Sequence, residues 1–227
     1  MVPSNILQRV FTLRIGSQQG TCFTIEVDGR QYLITAKHIL GSSGTPASLE
    51  ILHEGQWVKL PFRSILVEPS QVDIAVLALN QQLSGLLPIQ LGMNNHYLSE
   101  EVFFIGFPYG LSYDGKSLNS GFPLPFVKQG IISAFANGDG EPFFVDGINN
   151  PGFSGGPVSI VKSPTNPSII GVVSGYRFEE QPVYHQNQKI DFNVQVNTGL
   201  LIAYSIDYAI AAIKETPIGF TIQSPPK

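Results

Sequence analysis

Along most of the chain, apolar and polar side chains alternate over short stretches, the period of two that a half-buried β-strand imposes. Val10 to Ile15 alternates in this way. Thr21 to Val27 and Gln31 to Thr35 are joined by Asp28-Gly29, a tight-hairpin dipeptide whose glycine accepts positive φ. Ser48 to Leu52 and Gln56 to Leu60 form a second pair turning at Glu54-Gly55, and Ile74 to Leu79 is a continuous apolar run typical of a buried strand. After a loop-like linker from Asn80 to Asn95, a second series opens at Glu101 to Gly106. It continues through Phe126 to Phe135, Pro142 to Asp146, Pro157 to Val161, Ile169 to Ser174, the alternating Asp191 to Val196, and Leu200 to Ala203. One helix is predicted, with Ser205 as N-cap and Ile206, Ala209, Ile210 and Ile213 at helical spacing. Pro217 and Gly219 end it, and the tail from Ser224 to Lys227 is expected to fray. The expected fold class is all-β: two antiparallel six-stranded β-barrels followed by a C-terminal α-helix. The N-terminal barrel is placed at residues 10–95 and the C-terminal barrel with its helix at 96–216.

Composition narrows the function classes. The chain has 227 residues, 43% of them hydrophobic, enough to bury one or two cores. Thirteen basic against seventeen acidic side chains leave a net charge of −4, so electrostatics offers no case for nucleic acid. No apolar run is long enough to span a bilayer, and no membrane association is expected. Cys22 is the only cysteine and reads as a small core residue, so packing rather than a disulfide must hold the fold. With no basic-then-apolar leader at Met1-Val2-Pro3-Ser4-Asn5, the expected localisation is cytoplasmic.

Three polar groups stand out against this background. Asn150-Pro151-Gly152-Phe153-Ser154-Gly155-Gly156-Pro157 surrounds a serine with glycines. Serine is a poor nucleophile unless a base takes its proton and N–H groups meet the developing oxyanion. The glycines let the N–H groups of Gly152 and Ser154 converge as an oxyanion hole. Leu33-Ile34-Thr35-Ala36-Lys37-His38 ends a strand on a histidine, and Val72-Asp73-Ile74-Ala75-Val76-Leu77 places a carboxylate at the mouth of an apolar strand. A buried carboxylate needs partners, and an imidazole is one. His38, Asp73 and Ser154 occur in the chain order of the chymotrypsin-type triad, His and Asp in one barrel and Ser in the other.

These segments resemble the trypsin-like peptidases and, more narrowly, the peptidase domain of the HtrA (DegP-like) proteases. Thr35-Ala36-Lys37-His38 is similar to Thr-Ala-Ala-His, Phe104 to Leu111 to Ala-Ile-Gly-Asn-Pro-Phe-Gly-Leu, and Gly130 to Ala134 to Gly-Ile-Val-Ser-Ala. Asp73 to Leu77, Asn150 to Pro157, Gly171 to Gly175 and Asn197 to Ala203 also resemble family segments in order, over about residues 12 to 215. Regulation by a PDZ domain after the helix is not expected in this chain, and Phe153 stands where trypsin has the Asp that pairs with a newly cleaved N-terminus. Trypsin-style zymogen activation is therefore not expected, and loop ordering or an activating partner is the expected source of control.

The resemblance implies a serine endopeptidase with catalytic His38, Asp73 and Ser154, needing no metal or organic cofactor. A polypeptide substrate would add as a β-strand along Val173-Ser174-Gly175-Tyr176. Its side chain before the scissile bond would enter a pocket near Ile148, Ser174, Tyr176 and Leu200. Ile148 stands where trypsin has an acid, and Val173 where Glu-specific relatives have a histidine, so a small or medium apolar residue is expected there. A latent protease awaiting an effector, a silent peptide-binding relative and an esterase remain the competing readings. The aromatic-rich loop Tyr109 to Phe126 is read either as a gate or partner site, or as packing that closes a barrel end, and His185 as a surface residue.

Overall fold

The computed structural model describes residues 1–41, 48–94, 96–115, 117–163 and 165–222. A one-turn helix α1 (Ser4–Leu7) leads into β1 (Val10–Ile15), β2 (Gln18–Val27), β3 (Arg30–Thr35), β4 (Ser48–His53), β5 (Gln56–Ile65) and β6 (Ala75–Leu79). These pair in the order β3-β2-β1-β4-β5-β6, and β6 returns to β3, closing an antiparallel barrel. Beyond β7 (Gln90–Leu91) come β8 (Glu101–Gly106), β9 (Phe126–Phe135), β10 (Phe143–Asp146), β11 (Pro157–Ile160), β12 (Ser168–His185) and β13 (Gln188–Ser205). Their order is β11-β8-β9-β10-β13-β12, and β12 pairs back onto β11. The chain ends in α2 (Asp207–Glu215) and β14 (Phe220–Thr221), which adds to β3 of the first barrel. The predicted tail from Ser224 lies outside the described residues.

The continuous apolar run of β6 has a physical reason. Ala75, Leu77 and Leu79 face the core of the first barrel with Phe11, Leu13, Cys22 and Leu33, as the burial of Cys22 requires. Val76 points the other way, into a cluster drawn from both barrels and both helices, including Ile6, Phe23, Ile34, Ile105, Val172 and Ile213. A strand buried on both faces cannot alternate. The second barrel has its own core around Phe104, Phe143, Phe153, Val158 and Leu201.

The hairpin turns sit where the dipeptides predict them, with Asp28-Gly29 at φ 49° and 72° and Glu54-Gly55 at 50° and 80°. Ser205 caps α2 through its Oγ, which accepts the Asp207 N–H at 3.1 Å. Several expectations need correction, since neither α1 nor β14 was predicted. The linker carries β7, which pairs in parallel with β12. The strands expected at Ile169 to Ser174, Asp191 to Val196 and Leu200 to Ala203 are parts of one long hairpin, turning at Gln186-Asn187 (φ 47° and 65°). Its outer half is exposed on both strands, so no single buried face marked its full length. His185 lies on that exposed part. Among the described residues no helix is long and apolar enough to cross a membrane.

One buried cation ties the N-terminal segment to the first barrel. The Arg9 side chain is 0% exposed and pairs with Glu26 at 3.1 Å. It also donates to the carbonyls of Asn5, Thr24 and Leu87. Replacing Arg9 with Ala strands these acceptors, and the expected loss in urea unfolding is about 3–5 kcal/mol. A loss below about 1 kcal/mol would show that water replaces the guanidinium without penalty.

Candidate active site

Three loops bring the polar residues to the seam between the barrels. His38 sits in a 3-10 turn, Lys37–Leu40, directly after β3, and Asp73 just before β6, its neighbour across the barrel closure. Asp73 Oδ2 receives His38 Nδ1 at 2.7 Å, and its Oδ1 receives the His38 backbone N–H at 2.8 Å. Ser174, at the point where β12 leaves β11, donates its hydroxyl to the same Oδ2 at 2.5 Å. Burial by itself would raise the Asp73 carboxyl, but the His38 ring, the Ser174 hydroxyl and the His38 N–H outweigh it and hold it below its ordinary value. The imidazole is half exposed, with Nδ1 taken by Asp73.

Ser154 lies on the turn that follows. Asn150-Pro151-Gly152-Phe153 closes through the Phe153 N–H to Asn150 O bond at 3.2 Å. Proline at the second position and glycine at the third, here at φ 103°, is the sequence of a type II turn. The Pro151 carbonyl accepts the Tyr109 N–H at 2.7 Å. In a trans peptide the C=O and N–H point oppositely, so the Gly152 N–H is turned away from Tyr109. Neither it nor the Ser154 N–H donates a hydrogen bond among the described residues. The Ser154 hydroxyl donates to the Ser174 carbonyl at 2.9 Å. It makes no hydrogen bond to His38.

Sequence reasoning missed a brace from the opposite barrel. Buried Thr21 gives its N–H to Ser154 O at 2.9 Å and its hydroxyl to Gly152 O at 2.7 Å, while accepting the Phe107 N–H at 3.1 Å. Thr21 and Ser174 carry no motif; only the fold places them. Among the residues expected to bind substrate, Val173 is fully buried, and its N–H and C=O are taken by Gly156 and Gly155. It supports the wall, and the exposed edge begins at Ser174. The side chain of Ser174 serves Asp73, and Gly175 O is taken by Asn149 Nδ2 at 2.9 Å. Tyr176 is half-buried and pairs with Leu201 beside it, while Ile148 and Leu200 are exposed at 59% and 37%. The buried Asn149 Oδ1 has no hydrogen-bond partner among the described residues.

The loop Tyr109 to Phe126 is packed rather than open at its far end. Phe122 lies against Phe11 and His53, at centroid distances of 4.7 and 4.5 Å, and Glu54 N–H bonds Gly121 O at 2.8 Å. Tyr109, Leu111, Tyr113 and Leu118 of the same loop remain exposed.

Two antiparallel barrels, with histidine, aspartate and serine gathered at their seam, define the chymotrypsin-like class of serine proteases. The chain belongs to the trypsin-like peptidase family, whose domain profile matches residues 20–159. Its fold is similar to that of a serine-to-alanine variant of the HtrA-type protease AlgW with a tripeptide, at 19% identity and TM-score 0.62. That match covers 95% of this chain and 62% of the other, so the chain spans less than two thirds of that protease. Two structures of Rv3671c from M. tuberculosis, both titled inactive forms and one a serine-to-alanine mutant, match at 15% identity with TM-scores of 0.57 and 0.59. They cover 95% and 92% of this chain and 90% and 89% of theirs. No curated protein sequence matches the chain.

Because the Asp73 carboxyl is depressed in the folded state, its contribution to stability is present above the unfolded value of about 3.9 and fades as pH falls through the folded value. The stability gap between the protein and Asp73→Asn should be full near pH 7 and shrink towards zero well below about pH 4. Urea unfolding at both ends of that range measures it, and an undiminished gap in acid would mean that the carboxylate charge is not what stabilises.

Proposed function

We propose that the chain is a serine endopeptidase that cuts polypeptides through His38, Asp73 and Ser154 and an acyl-enzyme. The observation that carries this reading is the turn at Ser154. Two N–H groups there lack acceptors, beside an imidazole oriented by a carboxylate that is itself hydrogen-bonded. In the proposed reaction Ser154 Oγ attacks the scissile carbonyl carbon while His38 Nε2 takes its proton. Asp73 keeps the other ring nitrogen protonated and stabilises the imidazolium, and the N–H groups of Gly152 and Ser154 receive the oxyanion. The imidazolium then gives its proton to the leaving amine, and water, deprotonated by the same ring, releases the acid and restores Ser154.

Substrate is proposed to add as a strand at Ser174 to Tyr176, beside Ile148 and Leu200. Its N–H at the residue before the cut would donate to the Ser174 carbonyl, the same oxygen that holds the Ser154 hydroxyl at rest. Binding would thus release the nucleophile towards His38. The apolar preference expected at this position is supported by Ile148 and Leu200.

The resting bond between Ser154 and Ser174 also favours a second reading, a protease latent until substrate or an effector displaces that hydroxyl. Intact mass after treatment with a fluorophosphonate is the test. The first reading expects a single adduct on the protein and none on Ser154→Ala or His38→Ala. Asp73→Asn should label about 10⁴-fold more slowly. An adduct that appears only with added peptide or cell lysate supports latency. None under any condition would sink both readings.

A further inference from the structure

Lys128 carries an ammonium that makes no ion pair with a carboxylate among the described residues. It rises from β9, opposite Phe104 on β8, and spends its hydrogen bonds on one short segment. Nζ donates to the Ile148 carbonyl at 2.5 Å and to Asn150 Oδ1 at 2.7 Å. It also stands over the ring faces of Phe153 and Phe104, at 5.7 and 6.0 Å. With its oxygen taken, the Asn150 amide donates Nδ2 to the Tyr109 hydroxyl at 3.2 Å. The Tyr109 N–H in turn holds the Pro151 carbonyl. Tyr109 keeps φ 54°, a conformation that costs a non-glycine residue energy and persists only when its surroundings enforce it.

The chemistry of the segment calls for such a group. Phe153, immediately before Ser154, is fully buried and uncharged, so the turn cannot be fixed by an ion pair at that position. The polar atoms next to it must be held by something else. Charge-assisted bonds are about twice as strong as neutral ones, and the two aromatic faces offset part of the ammonium's desolvation.

We propose that Lys128 is a positioning residue of the candidate active site, clamping Ile148 and Asn150 so that the turn Asn150 to Phe153 keeps the Gly152 N–H towards the cleft. Its effect on rate rests on the peptidase reading above; its effect on loop order does not.

The test compares the protein with Lys128→Met and Lys128→Arg, using amide hydrogen exchange over residues 147–155 and saturation kinetics of fluorophosphonate labelling. Lys128→Met should speed exchange in that segment and not in the barrel strands. It should lower the maximal labelling rate about 10- to 100-fold, with the half-saturating concentration little changed. Lys128→Arg, which keeps the charge and several donors, should recover most of both. If Lys128→Met does not fold, Asn150→Ala carries the same two measurements. Exchange in the segment at the wild-type rate overturns the clamp, as does slow labelling with global destabilisation that arginine does not rescue. A wild type that never labels, with Lys128→Met still loosening the segment, leaves the clamp standing and removes the peptidase reading.

Discussion

The architecture depends on how closely two backbones approach at the serine. A Cβ at Gly155 would lie 2.1 Å from the carbonyl oxygen of Thr21, and one at Gly156 would lie 2.1 Å from that of Ile105. At Gly155 only glycine permits the nucleophile loop of one barrel to be pressed against β2 of the other, and at Gly156 only glycine lets it lie against β8 of its own. That contact lets Thr21 grip the loop on both sides of Phe153, and it fixes where Ser154 stands relative to the loop bearing His38. The apolar cluster shared by the barrels supplies the force that keeps this contact closed.

Where the chemistry is local, the sequence was legible. Asp28-Gly29 and Glu54-Gly55 imply their own turn geometry. Strands with one or both faces buried, such as β1 and β8, match their expected bounds to the residue. His38, Asp73 and Ser154 stood out because each carries an oddity: a histidine at a strand end, an acid before an apolar run, a serine among glycines.

What stayed hidden depends on contacts between distant segments. Thr21 looks like any strand threonine, and its role exists only once β2 meets the loop at Gly152. Ser174 was read as part of the substrate wall, but its hydroxyl faces Asp73, because β12 changes partner at that residue. In the outer hairpin of β12 and β13 only Asp191 to Val196 was expected as a strand; the stretch from Gly175 to Lys189 was not, since solvent on both sides leaves little periodicity to mark it. Lys128 reads as an ordinary surface position until the second barrel closes beneath it.

The return of the chain to its beginning has a further consequence. After the second barrel is complete, α2 enters the shared cluster with Ala209, Ala212 and Ile213, and β14 then pairs with the start of β3, at the end of that strand away from the histidine turn. The last segment is thus stitched into the barrel built first. Separating the barrels would therefore mean peeling off that segment and exposing the apolar cluster they share, so the terminal segment works as a strap across the two halves.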